Sequence, residues 1–134
     1  MKDISYTITN YCIIRNNKAQ TSSFIYADNS ITGREFLTKA YQHFTINYPK
    51  FYKMDNLSRL GFLSVELLLK NHPVHQLYKP EEVGIILSNA SSSLSTDIVH
   101  QQSITNRSEY FPSPSVFVYT LPNVMIGEIC IRHK

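Results

Sequence analysis

The sequence contains no tryptophan, four glycines and two cysteines among its 134 residues. Cys12 and Cys130 are far apart and have no CxxC spacing, which predicts two reduced, buried thiols rather than a disulfide framework. No apolar run approaches the ~20 residues that a membrane-spanning helix needs. The first ten residues also lack an apolar signal core. These absences favour a cytoplasmic protein that does not enter a membrane.

The charge balance is small as well. Thirteen Lys and Arg oppose ten Asp and Glu, and the net charge of +3 is spread along the chain. Nucleic-acid binding is therefore not predicted from charge. The composition is 43% hydrophobic and 17% charged, as in soluble globular proteins, and the length suits one domain with its own core. Nine Tyr and seven Phe predict that this core is rich in aromatic side chains.

Strand and helix patterns alternate through the first third of the chain. Ile4–Ile14 and Thr21–Ala27 are rich in β-branched and aromatic residues and predict two strands, which could pair as a hairpin. The polar segment Arg15–Gln20 between them is predicted to be a turn. A helix is predicted from Thr32 or Gly33 to His43.

A strongly apolar helix is predicted after Asp55, which suits an N-cap position. Its apolar residues lie nearly all round the helix, so it should be buried against more than one layer. Gly61 lowers helix stability by roughly 1 kcal/mol relative to alanine, which predicts close packing at that point.

The second half predicts an αβ unit. Val83–Leu87 is apolar and bounded by polar residues, as is typical of a buried central strand. The polar segment Ser88–Asp97 would leave the carboxyl end of this strand, where open α/β sheets place ligands. A short helix is predicted over Asp97–Ile104, and a last helix begins near Pro122.

None of the reactive side chains forms a complete motif. His72 and His75 are close, but a zinc site needs three or four ligands and no second Cys/His pair accompanies them. Cys130 and His133 are three residues apart on a predicted helix at the end of the chain. A Cys–His nucleophile needs an activating environment and an orienting third group, and the position favours a core cysteine and a solvated histidine instead. Ser88–Asp97 could imitate a phosphate loop but lacks the glycines and lysine of that motif. We therefore predict no catalytic residue, metal or cofactor from these patterns.

The aromatic stretch Tyr110–Tyr119 has two interpretations. Exposed aromatic side chains are enriched in interface cores, so it could contact a partner. Its alternation equally fits burial in the core of the chain itself. The candidate contact residues are Tyr110, Phe111, Phe117, Tyr119 and Asn123.

The segments KMDNLSRLGFLSVELLLK, EEVGIILSN and PSPSVFVYTLPNVMIGEICIRHK, in this order, resemble the beta-ketoacyl-ACP synthase family. KMDNLSRLGFLSVELLLK resembles a helix that opens with Lys/Arg-Met-Asp, and EEVGIILSN resembles the strand that precedes a glycine-rich turn. PSPSVFVYTLPNVMIGEICIRHK resembles the segment with a Pro-Asn pair and an apolar helix. The resemblance covers Lys53–Lys134, and TITNYCII matches the family's first strand loosely.

The resemblance implies a thiolase-like fold of two related α/β halves, usually dimeric, with a nucleophilic cysteine and two histidines. Residues 1–134 would then form one ketosynthase N-terminal-like domain, a partial layered α/β fold with a small sheet packed by helices. The catalytic-cysteine segment and the second half would be missing, because the sequence ends before the place where the family has them. Cys130 falls inside the Pro-Asn helix and cannot be equated with the family's nucleophile. The glycine-rich turn is replaced by Ser88–Ser91. None of the histidines inherits a catalytic role; these are His43, His72, His75, His100 and His133.

Three functional hypotheses follow. The chain could be a catalytically incomplete accessory in fatty-acid or polyketide-type synthesis, paired with itself or with a ketosynthase-like subunit that covers its sheet edge. It could be a truncated piece of an active 3-oxoacyl-ACP synthase. It could instead be a non-enzymatic module that binds an acyl chain or an acidic acyl carrier protein. The basic residues for the carrier-protein contact would be Lys50, Lys53 and Arg59; the alternative is that these side chains are only solvated. A further alternative is an α/β domain that resembles the family by chance.

Overall fold

A computed structural model describes residues 5–105, 108 and 110–133. Three short strands form an antiparallel sheet in the order β1-β2-β3. The strands are β1 (Cys12–Arg15), β2 (Lys18–Thr21) and β3 (Ile25–Ala27). The fold is therefore mixed α and β, as predicted, with a small sheet that is antiparallel.

The sheet corrects the predicted strand boundaries. Asn16 and Asn17 both have positive φ, 49° and 53°, as in the tight turns that join antiparallel strands. Because two residues suffice for this turn, half of the predicted polar turn, Lys18–Gln20, belongs to β2 instead. The predicted first strand also begins too early: Ser5–Tyr11 has no regular structure, and Ile4 lies outside the described residues.

An α-helix that contacts the sheet and a 3-10 helix that packs on this α-helix come next. Helix α1 (Gly33–His43) has the predicted bounds and buries Phe36, Leu37, Ala40 and Tyr41. A 3-10 helix, Pro49–Lys53, follows and buries Phe51 completely.

Helix α2 (Asn56–Leu69) is the centre of the fold. The Asp55 side chain accepts a hydrogen bond from the Ser58 backbone N–H at 2.9 Å, so the predicted N-cap is confirmed. The helix contacts β1, α1 and α6, which confirms its predicted burial on several sides. A Cβ atom added at Gly61 would overlap the Met125 side chain, which confirms the predicted close packing.

The predicted buried strand Val83–Leu87 is wrong. These residues form no regular strand, all are exposed, and the Ile86 side chain is 98% exposed. An apolar segment becomes a central strand only where neighbouring strands pair with it, and the described sheet consists of β1, β2 and β3. Helix α3 (Val74–Leu77) and the 3-10 helix Pro80–Glu82 occupy the loop before this segment.

Three helices complete the described chain: α4 (Leu94–Thr105), α5 (Pro114–Val118) and α6 (Val124–His133). Helix α4 begins before the predicted Asp97. Helix α6 begins two residues after Pro122 and packs on α2. In the described ranges, no helix has the length and apolar character required to cross a membrane.

Two helical glycines provide a test of the packing between α2 and α6. A Cβ added at Gly127 meets open space, so Gly127→Ala should raise the free energy of unfolding by roughly 1 kcal/mol through helix propensity. Gly61→Ala should instead lower it by about 1–3 kcal/mol, because Met125 is buried and must move. Chemical denaturation of both variants gives the comparison. Equal stabilisation by the two substitutions would contradict the close contact.

Candidate functional site

An aromatic groove of about 320 Å³ lies between α4 and α5. Tyr110 and Phe117 form part of its wall and are 58% and 54% exposed. Ser113 caps the N-terminus of α5 by accepting a hydrogen bond from the Val116 N–H at 3.4 Å. The groove is lined by His100, Ile104, Tyr110, Pro112, Ser113, Pro114 and Phe117.

His100 is the polar side chain that α4 contributes to this groove. Its ring centroid lies 5.3 Å from that of Phe117. The Nδ1 atom is buried and has no hydrogen-bond partner among the described residues. A concave apolar wall with few polar groups is typical of sites for small apolar ligands. The groove therefore has the chemistry to hold a short apolar chain.

The predicted contact residues are divided by the structure. Tyr110 and Phe117 line the groove, and Phe111, which follows Tyr110 in the sequence, is 85% exposed. Asn123 is exposed in the turn before α6. Tyr119 is only 7% exposed and belongs to the core, so its side chain is shielded from a ligand in this conformation.

The predicted basic patch is also divided. Lys53 is exposed, and Lys50 Nζ lies 3.0 Å from Glu128 Oε1 with its side chain 56% exposed. Arg59 is only 4% exposed and donates hydrogen bonds to Met54, Tyr52 and Thr38. Arg59 therefore braces the fold and does not present its charge to a carrier protein.

The polar segment Ser88–Asp97 has a structural role. Thr96 and Ser93 are buried. The Thr96 hydroxyl donates to Asp55 Oδ2 at 2.8 Å, and the Ser93 hydroxyl donates to the Thr120 carbonyl at 2.6 Å. These contacts fasten α4 to the start of α2 and to the end of α5. They favour the prediction of a polar connection over that of a phosphate loop.

Charged side chains hold α6 on α2. Arg132 Nε and His133 Nε2 lie 3.0 and 2.9 Å from Glu66 Oε1. Burial would raise the pKa of Glu66, but the adjacent His133 and the hydrogen bonds from Arg132 outweigh it and lower the pKa overall. Nearby, the Tyr48 hydroxyl donates to Glu128 at 2.7 Å, and burial together with this carboxylate raises the pKa of Tyr48 to about 12.

The lowered pKa of Glu66 predicts a pH dependence. A carboxylate with a lowered folded-state pKa stabilises the fold above its ordinary pKa, and this contribution is lost as the pH falls through the folded-state value. Glu66→Gln should lower the free energy of unfolding by about 1 kcal/mol at pH 7. The difference from the parent should shrink as the pH falls below about 4.5, the ordinary value for this group. Urea unfolding of the parent and the variant, at pH 7 and at a pH below about 4.5, measures this difference in the free energy of unfolding. A difference that does not change in acid would contradict the assigned role.

The two cysteines differ in environment. Cys12 lies on β1, and burial raises its pKa to about 11. Cys130 is exposed on α6. Among the residues that the structure describes, no group of three or more His, Cys, Asp or Glu could hold a metal ion.

We expect iodoacetamide at pH 7.5 to modify Cys130 and to leave Cys12 largely unreacted, because the thiolate is the nucleophile. Peptide mass spectrometry after timed labelling measures both sites. Adding denaturant should remove the difference. Faster labelling of Cys12 in the folded protein would contradict the burial of its thiol.

A second cavity, the hairpin cavity, has a volume of about 260 Å³. The β1–β2 turn, the start of α1 and the first turns of α2 enclose it. Its lining residues are Ile14, Arg15, Asn16, Asn17, Gly33, Arg34, Phe36, Leu37, Asn56 and Leu60. Sequence patterns did not predict it, because the three contributing elements are far apart in the chain.

Comparison with protein-family models, with curated proteins and with solved structures finds no match to this chain.

Proposed function

We propose that this chain is a catalytically incomplete, ketosynthase-like component of fatty-acid or polyketide-type acyl chain synthesis. The observation that carries the proposal is the packing of two of the three resembling segments. Segment 53–70 contains α2 and segment 112–134 contains α6, and these helices pack directly on each other. Gly61 meets Met125 and Glu66 pairs with Arg132, so residues from both segments form the contact.

The third resembling segment supports a partner. Val83–Leu87 is apolar but exposed, and Val83 has extended backbone angles of −109° and 117°. Exposed apolar stretches without paired backbone groups favour association with another sheet. In a thiolase-like layered fold this segment would be a central strand. A ketosynthase-like subunit, or further residues of a longer polypeptide, would supply the neighbouring strands.

The environment of the Cys12 thiol favours an incomplete rather than a self-sufficient enzyme. Covalent acyl transfer needs a thiolate and an activating base. The raised pKa of Cys12 disfavours its thiolate. Cys130 lies on the helix that packs against α2. If the chain is a piece of an active 3-oxoacyl-ACP synthase, the nucleophile lies outside residues 1–134.

Native mass spectrometry with a ketosynthase and acyl carrier protein from the same organism tests the proposal. We expect a complex with the ketosynthase that Ile86→Asp weakens and Ile8→Asp does not. Ile8 is the matched control because its side chain is 89% exposed, close to the 98% of Ile86, but lies outside Val83–Leu87. A monomer that binds neither protein contradicts the accessory role. Condensation of acyl-ACP with malonyl-ACP by the chain alone, abolished by Cys130→Ala, contradicts the incomplete site.

The aromatic groove favours a second candidate function, the binding of an acyl chain. Its volume of about 320 Å³ is at the lower end of small-molecule pockets. Displacement of a fluorescent fatty acid measures this binding. Phe117→Ala should weaken it, and Tyr6→Ala, at a 90% exposed side chain outside the groove, should not. Equal affinity of both variants and the parent would exclude the groove as the site.

A further inference from the structure

The hairpin cavity combines an apolar floor with a cationic rim. Phe36 and Leu37 on α1 are buried, Ile14 on β1 is half-buried, and Leu60 on α2 is 37% exposed. Of these four side chains, Ile14 and Leu60 offer an apolar surface that solvent can reach, because Phe36 and Leu37 are only 2% and 7% exposed. The cavity volume of about 260 Å³ equals roughly eight water molecules at ~30 Å³ each, which suits a short hydrocarbon chain.

Two guanidinium groups belong to the same lining. Arg15 ends β1 and Arg34 is the second residue of α1, and both are exposed. Within the described residues, neither forms an ion pair with a carboxylate. Arginine presents a planar fork of donors that matches the oxygens of carboxylate and phosphate groups.

The start of α1 adds further donors. Thr32 is the N-cap residue, but its side chain makes no capping hydrogen bond. Gly33 is the first helical residue, and it lines the cavity. The N-terminus of an 11-residue helix carries unpaired N–H groups and a partial positive charge, both of which favour an anion.

The charge of Arg34 also acts on the buried Arg59. Burial, and then the neighbouring Arg34 charge, lower the pKa of Arg59. The donors of Arg59 are used within the fold, so it leaves Arg15 and Arg34 as the groups available to a ligand.

We propose that the hairpin cavity binds a small anionic amphiphile. Its carboxylate or phosphate head is held by Arg15 and Arg34 at the N-terminus of α1, and its short apolar tail lies on Ile14 and Leu60. This site is separate from the aromatic groove and does not depend on the proposed synthase partner. Charge complementarity selects the head, and the apolar floor rejects fully polar anions.

Isothermal titration calorimetry with the full chain tests the site, using octanoate, octyl phosphate, octanol and inorganic phosphate as probes. We expect both amphiphilic anions to bind more tightly than octanol or inorganic phosphate. Arg15→Gln and Arg34→Gln should each weaken binding by about tenfold, the loss expected for a charge-assisted hydrogen bond. Lys53→Gln removes the same charge from an exposed residue outside the cavity and should not change binding.

The four probes distinguish the two head groups, and they test the cationic rim and the apolar floor of the cavity separately. Tighter binding of octanoate assigns a carboxylate ligand, and tighter binding of octyl phosphate assigns a phosphate ester. Octanol as tight as the anions would overturn the cationic rim. Inorganic phosphate as tight as octyl phosphate would overturn the apolar floor. Arginine variants that behave like Lys53→Gln would overturn the site itself.

Discussion

Replacing Phe51 with alanine is expected to lower the free energy of unfolding by about 3–5 kcal/mol, the range for removing a buried aromatic ring. The Phe51 side chain is fully buried, and its ring stacks on Tyr41 with centroids 4.1 Å apart. Its ring centroid is also 6.1 Å from that of Phe62 on α2. Phe51 thus connects the 3-10 helix to α1 and α2 at once, and alanine would leave a cavity at this junction.

Tyr52 is the matched control, because it is adjacent in sequence but 49% exposed. Tyr52→Ala should cost about 1 kcal/mol, the typical value for a point substitution outside the core. Equilibrium urea unfolding, followed by circular dichroism, measures both variants. A loss at Phe51 no larger than that at Tyr52 would mean that the ring is not buried in solution.

The helices that sequence reasoning located correctly have local determinants. Asp55 fixes the start of α2 through a hydrogen bond to a residue three positions later, and α1 combines an amphipathic pattern with turn residues before it. Gly61 could be assigned to a close contact because glycine inside a helix is costly and must be compensated. The identity of the contacting side chain, Met125, could not be predicted, since it comes from a distant segment.

The failures depend on non-local partners. Val83–Leu87 has the composition of a buried strand, but burial requires neighbouring strands, and the described sheet offers none there. β2 was missed because Lys18–Thr21 is polar and its pairing is determined by the two-residue turn at Asn16 and Asn17. A pattern within one segment cannot report which other segment pairs with it.

The candidate sites show the same limit. Tyr110 and Phe117 were identified from aromatic content and do line the groove, but His100 was considered only as a potential catalytic residue. The hairpin cavity had no sequence pattern, because Arg15 and Arg34 are 19 positions apart in the chain and line one cavity only in the fold. Exposed arginines become a candidate site only when their surroundings are known.

Arg59→Ala is expected to lower the free energy of unfolding by about 3 kcal/mol, because a buried guanidinium that makes charge-assisted hydrogen bonds is lost. Its Nε donates to the Met54 carbonyl at 2.9 Å, its Nη1 donates to the Thr38 hydroxyl at 3.2 Å, and its Nη2 donates to the Tyr52 carbonyl. Alanine would leave two backbone carbonyls without these donors at the junction of the 3-10 helix and α2. Arg59→Lys should recover little, since a single ammonium group cannot reproduce the planar fork of donors.

Arg15→Ala is the matched control for Arg59→Ala, because the same side chain is removed from an exposed position, and it should change stability by less than about 0.5 kcal/mol. Thermal and urea unfolding of the two variants distinguish the buried brace from an exposed charge. A similar small loss at both positions would show that the Arg59 contacts do not persist in solution. In that event Arg59 would be free to join Lys50 and Lys53 in the basic patch, and carrier-protein binding by the folded variant would then decide between the two roles.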